Sequence, residues 1–278
     1  MKLTIEEAKA IARRVGKAEL EFVVSITAPL YWVIRSPDGD VTTRNGSAFF
    51  LQTGKALFGV TAAHAIEGKN SWREYCQTHG ATPLRLGGRV GTSVPFEWDA
   101  RAVDINLDLD IATFAVSPRE IEAINRTAFS GFQKDWPPDP PEKNEGIAYC
   151  GFPGVGTRRL SRAAVEFGAV AGGGIASSIS EINVSSHIEQ EYLEPALGQG
   201  VHPDNFNFGG ISGGPMIYMT EKAGLRLNAL AGVIFSGPNI AHDLEQAISG
   251  FELIRARRAR FIMADGFLDH SLWESLRP

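Results

Sequence analysis

The chain has 278 residues and a formal net charge of −5, and 44% of its residues are hydrophobic against 21% charged. This balance excludes an intrinsically disordered chain and is typical of a folded protein with a sizeable core. Because the net charge is negative, electrostatics give no reason to expect a nucleic-acid partner.

A short amphipathic helix is the first predicted element, and we place it over residues 1–18. Thr4 and Glu7 have the spacing of a capping box, and apolar residues recur at helical spacing from Ile5 onward. Gly16 is the predicted end of this helix, since glycine is common just past a helix C-terminus.

The next apolar stretch and the two cysteines bear on localisation. Phe22–Ile34 is the longest apolar stretch and is too short to cross a bilayer, and the polar N-terminus lacks the apolar core of a secretory signal. Cys76 and Cys150 are isolated, which fits a reducing compartment better than a disulfide-rich secreted protein. We therefore expect a cytoplasmic protein with no membrane partner and two inert thiols.

The middle of the chain alternates short apolar runs with turn residues. The runs are rich in β-branched and aromatic residues, and Gly, Pro, Asn and Asp separate them, which predicts strands. Many short strands with frequent turns predict an all-β barrel or sandwich. The predicted strands are Leu30–Arg35, Ser47–Leu51, Leu57–Thr61, Ile111–Val116, Gly146–Gly151, Ala164–Ala171, Ile179–Ser185, Pro215–Met219 and Leu227–Phe235.

A proline-rich segment marks the predicted domain boundary. Consecutive prolines within Lys134–Glu142 cannot continue a sheet and stiffen the backbone into an extended spacer. We therefore divide the chain into an N-terminal helix over 1–18, a first β domain over 19–133, a linker over 134–143, a second β domain over 144–240, and a C-terminal helix and tail over 241–278.

The C-terminal segment contains a second capping-box pattern. Ser249 and Glu252 have the required spacing, which predicts a helix running toward Arg258 or Arg260. The arginines at its end suit a solvated last turn, where they complement the helix dipole. A docking surface for a partner protein is the alternative interpretation of this basic cluster, which consists of Arg255, Arg257, Arg258 and Arg260.

The glycine-rich segment around Ser212 is the strongest chemical signal in the sequence. Acyl transfer requires an exposed hydroxyl on a tight turn with backbone N–H groups free to face a developing oxyanion. Glycines on both sides of Ser212, in Gly209–Pro215, permit such a turn. A glycine-rich hairpin with an incidental serine is the alternative.

Two further residues join Ser212 in a meaningful chain order. His64 follows the predicted strand Leu57–Thr61, and Asp110 enters an apolar strand, an expensive place for a carboxylate that has no partner. Taken alone, His64 fits a structural histidine and Asp110 a strand-edge aspartate. Together the three residues occur in the order His, Asp, Ser, which is one of the known chain orders of a catalytic triad.

Several segments resemble those of trypsin-like serine peptidases, in particular the bacterial HtrA-like type without a PDZ domain. The resemblance extends over roughly residues 30–237 and implies two antiparallel six-stranded β-barrels of the chymotrypsin type with the catalytic residues between them. The segments that carry it are Asn45–Phe50, Thr61–His64, Asp110–Ala112, Gly151–Gly154, Gly210–Pro215 and Ala231–Gly237.

The resemblance implies a serine endopeptidase that cleaves a protein or peptide through an acyl-enzyme. Ser212 would be the nucleophile, His64 the general base, and Asp110 the residue that orients the imidazole. The N–H groups of Gly210 and Ser212 would form the oxyanion hole. The residues that correspond to the substrate cleft are Phe206, Phe235, Ser236 and Gly237.

Two positions depart from the pattern of the secreted enzymes. Ile211 stands where those enzymes have an aspartate that pairs with a newly cleaved N-terminus, so activation by that route is not expected. Phe235 stands where many relatives have a serine that supports the catalytic aspartate. Phe206, at the base of the primary pocket, favours an uncharged substrate side chain over Lys or Arg.

Two other functions are consistent with the sequence. A catalytically impaired fold could act as a binding or regulatory module, and a serine esterase would use the same triad. No cofactor is expected, and the remaining histidines lack the paired spacing of a metal site. A peptidase inside the cell needs restraint, so we expect a regulatory protein partner or the N-terminal helix to govern access.

Overall fold

The computed structural model describes residues 5–36, 38–66, 71–88, 92–130, 136–161, 164–187, 194–196, 208–222, 225–237 and 253–277. The protein is mostly β, with 48% strand and 22% helix. One large sheet is curled and the other closes into a six-stranded barrel. The expectation of a β-rich fold is confirmed at this level.

The chain opens with helix α1, Ile5–Ile26, which is longer than the sequence predicts. The helix passes through Gly16, so the predicted end at that residue is wrong. Its last turns reach the core, where Val23 and Ile26 are fully buried. Burial of such side chains is worth about 1.5–3 kcal/mol each, which exceeds the cost of about 1 kcal/mol for a glycine inside a helix.

The first half of the chain forms the curled sheet. Its strand order is β5-β4-β1-β2-β3-β7-β6, with the short β8 paired to β2. Three short helices lie in its connections, α2 (Trp72–His79), α3 (Trp98–Arg101) and α4 (Pro118–Ala123). The strands are β1 (Thr27–Arg35), β2 (Val41–Gln52), β3 (Leu57–Thr61), β4 (Leu84–Gly87), β5 (Ser93–Phe96), β6 (Ala102–Asn106), β7 (Ile111–Ala115) and β8 (Phe129–Ser130).

The second half forms the closed barrel. Six strands pair in the order β13-β17-β16-β15-β9-β12, and pairing of β12 with β13 closes the ring. β14 adds to β12, while β10 and β11 pair only with each other. The strands are β9 (Gly146–Gly151), β10 (Thr157–Arg159), β11 (Val165–Phe167), β12 (Ala169–Ile179), β13 (Asn183–His187), β14 (Glu194–Ala196), β15 (Pro215–Lys222), β16 (Leu225–Ser236) and β17 (Leu253–Arg258).

Strand β17 replaces the helix that the sequence predicts to run toward Arg258 or Arg260, so that prediction is wrong. The capping-box residues at 249–252 lie outside the described residues. Ile254, Ala256 and Arg258 are buried at alternate positions, which is the period of a strand and not of a helix. The barrel therefore includes residues beyond the predicted boundary at 240, and the C-terminal helix is the short α5, His270–Leu276.

The two sheets share one hydrophobic core. Phe49 and Val60 from the curled sheet pack in the same buried cluster as Cys150 and Val233 from the barrel, together with the end of α1. Separate clusters fill the interior of the curled sheet and of the barrel. The described part of the predicted linker lies against the C-terminal segment, where Trp136 Nε1 donates to the Ile262 carbonyl oxygen at 2.7 Å.

None of the helices in the described ranges combines the length and the apolar character that crossing a membrane would require.

Candidate active site

His64 and Asp110 meet on the curled sheet. His64 lies in a 3₁₀ turn, Ala63–Ile66, that follows β3, and Asp110 directly precedes β7. β3 and β7 pair side by side, with Thr61 opposite Ala112. Asp110 Oδ1 accepts from the His64 backbone N–H at 2.9 Å, and Oδ2 lies 2.7 Å from His64 Nδ1.

The environment of His64 leaves its ring accessible. Its neighbours Ala63 and Ala65 are buried, which anchors the turn, while 54% of the His64 side chain and 15% of the Asp110 side chain are exposed. The hydrogen bond to Asp110 raises the pKa of His64 above its ordinary value of 6.5, with partial burial acting in the opposite direction. Because the folded-state pKa is raised, this pair stabilises the fold fully below pH 6.5, and the contribution is lost as pH rises through the raised pKa.

Asp110 has a left-handed backbone conformation. Its φ is 62°, in the left-handed region that aspartate tolerates better than most residues but that still carries strain. The preceding residue, Leu109, is fully buried, and its N–H donates to Asn106 Oδ1 at 2.8 Å. The turn over 107–110 thus aims the carboxylate at the histidine.

The segment over residues 209–214, called the Ser212 loop below, has glycines at positions where no other residue fits. Gly210 and Gly213 have φ values of 105° and 89°. A Cβ at Gly213 would lie 2.1 Å from the Ser47 carbonyl oxygen, and a Cβ at Gly214 would lie 2.0 Å from the Cys150 carbonyl oxygen. The loop therefore packs its backbone directly against both sheets, with no room for side chains at these positions.

Ser47, a buried residue of β2, holds this loop on the curled sheet. Its N–H donates to the Ser212 carbonyl oxygen at 2.9 Å, and its hydroxyl donates to the Gly210 carbonyl oxygen at 2.8 Å. The same hydroxyl accepts from the Phe152 N–H at 2.8 Å. The sequence predicts that Ser47 lies in a strand, but the sequence contains no signal that this serine bridges the two sheets.

The Ser212 hydroxyl has one hydrogen bond within the described part of the chain, to the Phe235 carbonyl oxygen at 3.4 Å. It is not hydrogen-bonded to His64, so two members of the predicted triad are joined and the third is held nearby by its backbone. In the same described ranges, the N–H groups of Gly210 and Ser212 donate no hydrogen bond.

Ile211, the departure from the secreted pattern, is buried in the barrel core with 2% exposure. Its N–H donates to the Phe208 carbonyl oxygen, and its own carbonyl oxygen accepts from the Gly214 N–H at 3.0 Å. Its side chain also reaches Gly237, where a Cβ would lie 3.0 Å from Ile211 Cδ1. Apolar packing of Ile211 thus anchors the loop in the barrel.

The residues predicted to line a substrate cleft are only partly described. Phe206 lies outside the described residues. Phe235, Ser236 and Gly237 are partly exposed at the end of β16, next to the acceptor of the Ser212 hydroxyl. The ring of Phe235 lies beneath the guanidinium of Arg257, whose central carbon is 4.1 Å from the ring centroid.

The remaining candidate groups are not assembled into a site. No set of three or more His, Cys, Asp or Glu residues in the described ranges could hold a metal ion. Cys76 and Cys150 are not joined in a disulfide, and burial raises the pKa of Cys150 to about 12.

Comparisons with known proteins leave the family open. No family model and no curated protein matches the chain. A solved structure that does match comes from work on aromatic interactions in the coupled folding and binding of the intrinsically disordered Sesbania mosaic virus VPg protein. The two chains are 15% identical, and the match covers 84% of this chain and 92% of that chain. The TM-score of 0.39 is too low to indicate a shared function.

Replacement of Ser47 by alanine tests the attachment of the loop. Ser47→Ala leaves the Gly210 carbonyl and the Phe152 N–H without their partner, so we expect a loss of about 1–3 kcal/mol in the free energy of unfolding, measured by urea denaturation. The exposed Ser130→Ala is the control, with a change within about 0.5 kcal/mol. Equal midpoints for the two variants would contradict the bridging role.

Replacement of Asp110 by asparagine tests the cause of the His64 pKa. Asp110→Asn removes the charge and weakens the hydrogen bond that raises this pKa, so we expect it to fall toward 6.5 or below, measured by an NMR titration of the ring protons. Asp108→Asn, two residues away and exposed, leaves the pKa of His64 unchanged. A His64 pKa that is the same in both variants refutes the assignment.

Proposed function

We propose that the chain is a serine endopeptidase and that the curled sheet and the closed barrel are the two halves of a chymotrypsin-like fold. The observation that carries the proposal is the 2.7 Å contact between His64 and Asp110, on the same sheet whose Ser47 binds the Ser212 loop. A histidine with a raised pKa beside a carboxylate, on the sheet that holds the loop of a partly exposed serine, matches the requirements of acyl transfer.

The proposed reaction begins when the Ser212 hydroxyl exchanges its long hydrogen bond to Phe235 for one to His64 Nε2. Ser212 Oγ then forms a bond to the carbonyl carbon of the substrate while His64 takes the hydroxyl proton. Collapse of the tetrahedral intermediate breaks the C–N bond, and His64 returns the proton to the leaving amine. A water molecule, deprotonated by the same imidazole, then attacks the acyl carbon. The ester bond to Ser212 Oγ breaks, the carboxylic acid leaves, and His64 returns the proton to Ser212.

The donors for the oxyanion are the N–H groups of Gly210 and Ser212. They are unused within the described residues, and the loop that carries them is held by Ser47 on one side and by Ile211 on the other. Donors fixed before the substrate arrives require no reorganisation during the reaction. The buried Ile211 supports a loop that is formed without cleavage of a precursor.

The raised pKa of His64 sets the expected pH dependence. The imidazole must be neutral to accept a proton, so activity increases as pH rises through this pKa, and the acidic limb of kcat/KM lies above pH 6.5. We propose a cytoplasmic setting because Cys76 and Cys150 are not joined in a disulfide. The partly exposed Phe235, Ser236 and Gly237 are the proposed wall of the substrate cleft.

A binding or regulatory module is the second candidate. The observation in its favour is that the Ser212 hydroxyl bonds to the Phe235 carbonyl and not to His64. A serine held in that orientation would not be activated as a nucleophile.

An active-site probe separates the two candidates. A fluorophosphonate is attacked by an activated serine, which forms an O–P bond and releases fluoride. We expect labelling of the wild type at Ser212, located by mass spectrometry, and a loss of at least about 10³-fold in labelling rate for Ser212→Ala and His64→Ala. Ser130→Ala is labelled like the wild type. An unlabelled wild type supports the binding module.

Substrate choice separates a peptidase from an esterase. A peptide library incubated with the wild type should show internal cleavages that are absent with Ser212→Ala, with kcat falling by about 10⁴-fold or more in that variant. Turnover of small esters without any peptide cleavage, at equal enzyme concentration, would assign the site to an esterase.

A further inference from the structure

Arg257 is the side chain that reaches from the barrel to the Asp110 turn. It lies on β17, between β13 and β16, and is only partly exposed. Its Nε donates to the Leu109 carbonyl oxygen at 3.0 Å, and its Nη1 donates to Asn183 Oδ1 at 2.8 Å. The planar guanidinium therefore makes two hydrogen bonds in fixed directions, one to the turn before Asp110 and one to β13 of the barrel.

The Leu109 carbonyl belongs to the peptide that leads into Asp110. Asn106 holds the N–H of Leu109 and Arg257 holds its carbonyl oxygen, so both polar groups of this buried residue are fixed. The next residue, Asp110, has the left-handed φ of 62°. A conformation of this kind persists only where surrounding contacts determine it.

The hydrogen bonds of the Asp110 carboxylate do not by themselves explain its orientation. Within the described ranges, both of its hydrogen bonds come from His64 itself. The serine that supports the aspartate in many trypsin-like enzymes is replaced here by Phe235, whose ring lies under the Arg257 guanidinium. The direction of the carboxylate therefore depends on the backbone of its turn.

The charge of Arg257 is placed to act on the same carboxylate. Burial lowers the pKa of this guanidinium, and the Asp110 carboxylate opposes that shift. The ring of Trp273 on α5 lies on the same guanidinium, with its centroid 5.4 Å from the central carbon. These contacts keep Arg257 in place beside the turn.

We propose that Arg257 is a positioning residue that fixes the Asp110 turn against β16, the strand that carries Phe235. It takes over, by a hydrogen bond to the backbone and a contact with Phe235, the support that a serine side chain would give to the aspartate. The inference deepens the proposed peptidase function and rests on it. It adds a residue of β17 to a site otherwise built from the curled sheet and the Ser212 loop.

The test compares Arg257→Met and Arg257→Lys with the control Arg255→Met, which changes an exposed arginine of the same strand. On a peptide that the wild type cleaves, we expect both Arg257 variants to lose about 10–100-fold in kcat with KM within about twofold, because a misplaced general base slows chemistry more than binding. The lysine keeps the charge but not the planar fork, so we expect Arg257→Lys not to restore the wild-type kcat. The control retains wild-type kinetics.

A titration of His64 by NMR gives a readout that does not depend on catalysis. If Arg257 positions Asp110, loss of the fork weakens the Asp110–His64 hydrogen bond, and the His64 pKa falls in Arg257→Lys, which keeps the positive charge. If Arg257 acts only through its charge, the pKa rises in Arg257→Met and stays constant in Arg257→Lys.

A His64 pKa that rises or stays unchanged in Arg257→Lys overturns the inference, and so does full activity of this variant. A wild type that fails to react with the fluorophosphonate refutes the peptidase but leaves the titration as a test of the positioning role. Should Arg257→Met fail to fold by circular dichroism, the lysine variant alone decides.

Discussion

The hydrogen bonds of Ser47 are the constraint on which the site depends. One buried hydroxyl donates to Gly210 and accepts from Phe152, so it joins a strand of the curled sheet to two segments of the barrel half at once. Each group would be costly to bury without a partner. The Ser212 loop can therefore pack tightly against the curled sheet, which brings its serine into the neighbourhood of the histidine.

The position of Asp110 depends on a second connection between the curled sheet and the barrel. The Asp110 turn belongs to the curled sheet, but the guanidinium that holds its peptide comes from β17 of the barrel. The two connections act on opposite members of the proposed triad, Ser47 on the nucleophile loop and Arg257 on the aspartate. A shared core between the sheets keeps both contacts in register.

Local patterns in the sequence predict local structure well. Leu57–Thr61 and Gly146–Gly151 are strands with the predicted bounds, because short apolar runs between turn residues define them. The β-rich fold agrees with the prediction. The contact of Arg257 with Leu109 spans 148 residues and leaves no local signal. The same arginines fit a helix end or an alternating strand, and only barrel closure decides between them.

Closure of the barrel through β17 has a consequence for the order in which the protein matures. A chain emerges from the ribosome N-terminus first, and its domains generally fold as units during synthesis. Because β17 must pair with both β13 and β16 to complete the ring, the barrel cannot close until Arg258 has been translated. His64, Asp110 and Ser212 all exist in the nascent chain before that moment, yet the scaffold that unites them is completed last.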